Sequence, residues 1–127
     1  MQPIGIQHVT VAAEDLDVAI GFYELLGMTR VPDRPDLGIE GAWMQCAGEQ
    51  VHIVVRHGRP VPDASTHFAI IVDDLEACLA ELDAAGVSAQ RLRRVEGAGR
   101  QAFLQDPTGN VVELNQPDRP WRPGVRA

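Results

Sequence analysis

His8 and His67 head two near-copies of one passage. The run His8-Val9-Thr10-Val11-Ala12-Ala13-Glu14-Asp15-Leu16 matches His67-Phe68-Ala69-Ile70-Ile71-Val72-Asp73-Asp74-Leu75 without a gap, 59 positions along (67 minus 8). The same offset carries Gly27 onto Gly86. A repeat this long exceeds solenoid periods, so it reads as one supersecondary unit present twice, the copies related by an approximate two-fold with equivalent histidines near its axis. Two imidazoles facing each other are the beginning of a metal site. Near the end of each copy stand His52 and Glu113, 61 positions apart (113 minus 52), close to the repeat offset. Two imidazoles, a carboxylate and a third imidazole suit one divalent first-row ion, Mn, Fe, Co, Ni or Zn, whereas a softer ion would call for thiolates. A carboxylate turned into a cavity is also costly to bury without a cation.

These residues need strands to hold them. Ile6 to Ala12 and His67 to Val72 are short and rich in β-branched residues, which predicts strands. Alternation then puts His8, Thr10 and Ala12 on one face and His67, Ala69 and Ile71 on its counterpart. Gln50 and His52 share a face of a later strand, as Val111, Glu113 and Asn115 do in the second copy. The acids Glu14-Asp15 and Asp73-Asp74 are of the type that caps a helix. Leu16, Ala19, Ile20 and Tyr23, and then Leu75, Cys78, Leu79 and Leu82, make one apolar helix stripe each. Gly27 and Gly86 fall where a left-handed C-terminal cap is wanted. Further extended pieces follow at Met28 to Val31, Ala42 to Cys46 and Gln50 to Val55. The second copy has Val87 to Leu92, Arg100 to Gln105 and Val111 to Asn115, with Asp106-Pro107-Thr108-Gly109-Asn110 as a hairpin turn. The fold class is therefore α+β, a single domain over 1–127. It is built of two tandem βαβββ modules, about 4–58 and 64–116, with a tail over 117–127. Together they are expected to form a strongly curved, open eight-stranded sheet around a cavity.

Composition excludes several alternatives. A net charge of -7 opposes nucleic-acid and anionic-membrane partners, which need a cationic footprint. All eleven basic residues are arginines, so Schiff-base chemistry on lysine is excluded. No signal-peptide pattern and no membrane-length apolar run is present, and a cytoplasmic protein is expected. Cys46 and Cys78 are too few for a disulfide framework and read as reduced, buried thiols. Trp43, Gln101 and Phe103 lie on strands expected to line the cavity and could shape a substrate pocket beside Thr10 and Gln50. Tyr23 reads as packing, His57 as a solvated loop residue, and Arg93, Arg94 and Arg100 as a solvated loop at the cavity mouth.

The set His8-Val-Thr-Val, Asp15-Leu16, Phe22-Tyr23, Leu26-Gly27-Met28, His67, Asp74-Leu75 and Asp106-Pro-Thr-Gly-Asn-Val-Val-Glu113-Leu resembles the vicinal oxygen chelate superfamily over residues 4 to about 116. That superfamily includes glyoxalase I, extradiol dioxygenases, methylmalonyl-CoA epimerase, fosfomycin-modifying enzymes and bleomycin-binding proteins. The resemblance assigns metal-ligand positions to His8, His67 and Glu113, and a fourth, variable position to His52. It implies a divalent metal that binds vicinal substrate oxygens and stabilises an oxyanion as a Lewis acid. Glyoxalase I-type relatives carry Glu or Gln where this chain has His52. Fosfomycin-modifying relatives share the His, His, Glu set, a threonine like Thr10 and an arginine placed like Arg122, but use a lysine that is absent here.

The expected function is a metal-dependent small-molecule enzyme of glyoxalase-like lyase or isomerase type, with Glu113 and His52 as catalytic groups and His52 either a fourth ligand or an acid–base group. The alternatives are an extradiol-type ring-cleaving dioxygenase, and an antibiotic- or metabolite-binding protein without turnover. Exposed sheet edges and Trp121 in the tail lead to the expectation of a homodimer.

Overall fold

The structure, a computed structural model, describes residues 1–60 and 63–120. Its elements run β1 (His8–Ala13), α1 (Leu16–Leu25), β2 (Thr29–Arg30), β3 (Gly41–Cys46), β4 (Glu49–Val55), β5 (His67–Ile71), α2 (Leu75–Ala84), β6 (Gln90–Arg91), β7 (Arg100–Gln105) and β8 (Val111–Gln116). This is βαβββ twice, a mixed α+β fold. The eight strands are divided between two four-stranded sheets, β1-β4-β3-β2 and β5-β8-β7-β6, and neither sheet is closed. β2 and β6 are each two residues long, shorter than the extended runs expected from sequence. The chain divides near residue 61 into two compact units, and the β7–β8 turn, Asp106–Asn110, belongs with the first. Trp121 and Arg122 lie outside the described residues. Among the described residues no helix is long and apolar enough to cross a membrane.

In the first unit β1 and β4 pair in parallel, an arrangement that requires a crossover, here supplied by α1. The Asp15 carboxylate caps that helix by accepting from the Val18 N–H at 3.0 Å. Its C-terminus closes when the Met28 N–H donates to the Tyr23 carbonyl at 3.1 Å, with Gly27 at φ 88°, a conformation in which a side chain would be strained. Ala19, Ile20, Phe22 and Tyr23 are buried on one side of α1. Strand alternation buries Val11, Ala13, Ala42, Met44, Val51 and Ile53 as well. The other parity, His8, Thr10, Trp43, Gln45, Gln50 and His52, stays half-buried or exposed. One face of this sheet is thus core, and the other carries the polar candidates.

A buried polar knot ties the Asp106–Asn110 turn into this unit. Tyr23 donates its hydroxyl hydrogen to Asp106 Oδ2 at 2.7 Å. Asp106 Oδ1 accepts from the backbone N–H groups of Thr108 and Asn110. The Asn110 side-chain amide donates to Asp106 Oδ2 and to the Ala12 carbonyl, both at 2.7 Å. Burial, and then the Asp106 charge, push the Tyr23 phenol well above its ordinary pKa, so it stays a donor. Tyr23 therefore packs, as its helix position suggests, and also anchors a turn 83 residues away.

The second unit repeats the plan with a thinner core. β5 and β8 pair in parallel around α2, and Asp74 caps the helix by accepting from the Ala77 N–H at 3.0 Å. Only Leu75 and Leu82 of α2 are buried, whereas Cys78 and Leu79 of the expected stripe are half-buried. In the sheets Ala102, Leu104, Val112 and Leu114 supply the buried parity. Cys46 and Cys78 are free thiols but only half-buried, not buried as expected from sequence, and partial burial still pushes both above the ordinary thiol pKa.

Candidate functional site

In the first unit three aromatic rings from adjacent strands form a column. Trp43 on β3 is opposite His52 on β4 in the antiparallel register, and their rings stack with centroids 4.5 Å apart and planes 7° from parallel. On the β1 side the His8 ring stacks on His52 at 3.9 Å and 13°. Because β4 lies between β1 and β3, His52 is covered on both ring faces. Burial first, then the neighbouring His8 and the Arg34 guanidinium, hold the His52 imidazole below the ordinary histidine pKa, favouring its neutral form. His8 Nδ1 is 2.9 Å from Gln7 Oε1; as Gln Oε1 only accepts, Nδ1 carries the hydrogen and Nε2 the lone pair. Thr10 is exposed on the same face and pairs in register with His52. Gln50 contacts His52 directly, its Oε1 2.8 Å from Nε2.

The second unit uses the same stencil with different chemistry. Phe103 on β7 is opposite Glu113 on β8, so it occupies the place Trp43 has opposite His52. Glu113 is 6% exposed, one of two buried acids among the described residues. Its Oε1 accepts from the Gln101 amide at 2.8 Å, and Oε2 has no hydrogen-bond donor among the described residues. His67 packs edge-on against Phe103, with centroids 4.9 Å apart and planes at 80°. The His67 Nδ1–H donates to the Ala64 carbonyl at 2.8 Å, which leaves Nε2 as the lone-pair nitrogen.

His8, His67 and Glu113 thus share one property. Each has one polar atom anchored by a neighbour and a second with no hydrogen-bond partner among the described residues, an arrangement of the kind by which surrounding groups orient metal ligands. Within each unit the structure brings the sequence-identified residues together: His8, His52, Trp43 and Gln50 in the first, and His67, Glu113, Gln101 and Phe103 in the second. Among the described residues no three His, Cys, Asp or Glu side chains form a group able to hold one ion. His57 is exposed, as expected, and its Nδ1 contacts Glu14 at 2.8 Å. Arg94 is paired with Asp118 at 2.8 Å. With Arg91 and Arg100 it lines a cavity of ≈ 390 Å³ in the second unit. Sequence reasoning missed Gln45, which joins Gln50 to the β3–β4 turn; its strand parity, shared with Trp43, was the available signal.

The chain is similar to known proteins over most of its length. The model of the Glyoxalase/Bleomycin resistance protein/Dioxygenase superfamily matches residues 5–114. The glutathione transferase FosA of Serratia marcescens is 31% identical over 87% of this chain and 79% of its own length. The structure of a glyoxalase family protein from Bacillus anthracis superposes with a TM-score of 0.83 at 27% identity, covering 93% of this chain and 98% of that one. TnmS3, an antibiotic binding protein from Streptomyces sp. CB03234, superposes with a TM-score of 0.74 at 30% identity, covering 93% and 99%.

Proposed function

Because the chain belongs to the Glyoxalase/Bleomycin resistance protein/Dioxygenase superfamily, we propose that it is a metal-dependent small-molecule enzyme of lyase or isomerase type acting on a substrate with vicinal oxygens. The observation that carries this reading is the donor set. His8 and His67 each have Nδ1 anchored and Nε2 available, and Glu113 has one oxygen anchored and one available. Two imidazoles and a carboxylate are the donors a divalent first-row ion takes, three protein ligands leave positions open for substrate, and in this reading two copies of the chain contribute them. Bound there, the ion supplies Lewis acidity toward a developing oxyanion. Gln7, the Ala64 carbonyl and Gln101 orient the ligands. Trp43, His8 and His52 give the sheet a stacked aromatic face, while Thr10, Phe103 and Gln101 stand beside the donors as substrate-contact candidates.

In this reading the protein is a cytoplasmic homodimer. Support for the second copy comes from β1 and β5, which are edge strands of their sheets, and from the apolar exposure of Ile4, Ile6 and Ile71. A second reading, binding without turnover, is favoured by the ring column, which is also a platform for a flat ligand, and by the likeness to an antibiotic binding protein.

Metal analysis of protein purified without chelator or added metal separates the two. Near-stoichiometric divalent metal, lost in Glu113→Gln with the fold retained, is the expected result; a metal-free protein that takes up none when titrated overturns the enzyme reading. Oxygen uptake with a catechol substrate would move the assignment to ring cleavage.

A further inference from the structure

The β3–β4 hairpin feeds a chain of side-chain hydrogen bonds whose direction is fixed at its far end. The Gln45 side-chain nitrogen lies 2.7 Å from the Ala47 carbonyl oxygen and 3.1 Å from that of Glu49. Carbonyl oxygens only accept, so the Gln45 group facing them is its NH₂. Gln45 Oε1 must then face Gln50, whose NH₂ donates to it at 2.9 Å. That turns Gln50 Oε1 toward His52 Nε2 at 2.8 Å. An amide oxygen cannot donate, so His52 Nε2 carries the hydrogen. The lone pair of the neutral ring is on Nδ1.

The ring column adds a second constraint. Lone pairs lie in the plane of an imidazole, and the His8 and His52 planes are 13° from parallel with centroids 3.9 Å apart. An ion in the plane of one ring is well out of the plane of the other, so the two cannot both bind it at about 2.0–2.1 Å while they remain stacked. Trp43 on the opposite face of His52 resists the rotation that ligation would need.

We propose that Gln45 and Gln50 are positioning residues that hold His52 as the Nε2–H tautomer, and that His52 serves a ligand as a hydrogen-bond acceptor through Nδ1 and does not coordinate the metal. The ligand chemistry implied is a substrate group that donates a hydrogen, such as a hydroxyl. This deepens the reading of the site given above and rests on it only for the metal.

Long-range ¹H–¹⁵N correlation of the full chain at about pH 7.5, a unit above the ordinary histidine value, reads the tautomer directly, with His52 assigned by its disappearance in His52→Phe. The expected result is Nε2 protonated and Nδ1 bare. In Gln50→Met the Nε2 hydrogen should exchange with solvent at least about tenfold faster, the bond that shields it being gone, while Gln50→Glu, which keeps an acceptor, retains the wild-type tautomer. An Nδ1–H tautomer in the wild type, or unchanged exchange in Gln50→Met with its fold intact, overturns the proposal. Titration of chelator-treated protein with Mn²⁺ tests the second half, since His52→Phe keeps a stacked ring and removes both nitrogens. An affinity loss below about a hundredfold is expected, the range for a group outside the coordination shell, and a larger loss makes His52 a ligand. Wild-type protein that binds no Mn²⁺ overturns the metal reading of the site, while the NMR result still decides the relay.

Discussion

The two modules place a histidine, an aromatic residue and a second polar group at matching points: His8, Trp43 and His52 in one, His67, Phe103 and Glu113 in the other. In the first, the group on the central strand is an imidazole stacked between two rings and bonded to a glutamine through nitrogen. In the second, it is a buried carboxylate with one oxygen held by Gln101. One scaffold thereby offers a flat aromatic surface in one module and a carboxylate in the other. The repeated plan supplies the geometry, and residues that differ at matching strand positions, Trp43 and Phe103, His52 and Glu113, supply two chemistries.

The sharpest way to break this comparison is to treat the matched positions alike. Glu113→Gln keeps the Gln101 bond yet removes the charge, and its divalent-metal affinity should fall by more than about tenfold, measured by calorimetry, with circular dichroism unchanged. Retained affinity would mean that the carboxylate is structural.

Helix packing differs between the modules as well. α1 buries four residues and α2 buries two, so Leu82→Ala, at a side chain 3% exposed, should cost about 2–5 kcal/mol in urea unfolding. Amide exchange should speed up in α2 before α1, because α2 has less buried apolar contact to hold it.

Tyr23→Phe tests the polar knot of the first module. It leaves Asp106 Oδ2 with the Asn110 amide but without the hydroxyl, so the expected loss is about 1–2 kcal/mol. A neutral effect would show that Asn110 satisfies the carboxylate alone.

The hairpin turns give a smaller contrast. Gly109 takes the positive φ of the β7–β8 turn, whereas Ala47, at φ 50°, does so between β3 and β4. Ala47→Gly should raise the urea midpoint by less than about 1 kcal/mol equivalent, relief of the left-handed strain being offset by glycine's entropy.

The smallest effect lies at two exposed acids near the helix starts. The His57 hydrogen bond and then the Gly58 N–H hold Glu14 below the ordinary carboxylate pKa, and Arg91 does so for Glu76. A depressed folded pKa means stability that is fully present above the ordinary value of 4.5 and lost as pH falls through the folded one. Urea midpoints of Glu14→Gln and Glu76→Gln should therefore decline slightly less than wild type on acidification. Steeper decline in either variant would contradict the sign.

Sequence alone determined much of this protein, because its signals are local. Periodicity two and 3.6 located the strands and helices, Asp15 and Asp74 marked the caps, and Gly27 and Gly86 marked the helix ends. The internal repeat paired His8 with His67 and His52 with Glu113, so every candidate donor could be named from residue order. Periodicity could not supply partners. That Tyr23 holds Asp106, that Gln101 holds Glu113, and that Gln45 passes a turn's polarity through Gln50 to His52 depend on which strands become neighbours and in what register. Strand order is set by burial of whole faces, a long-range quantity with no local signature, and only the tertiary structure decided it.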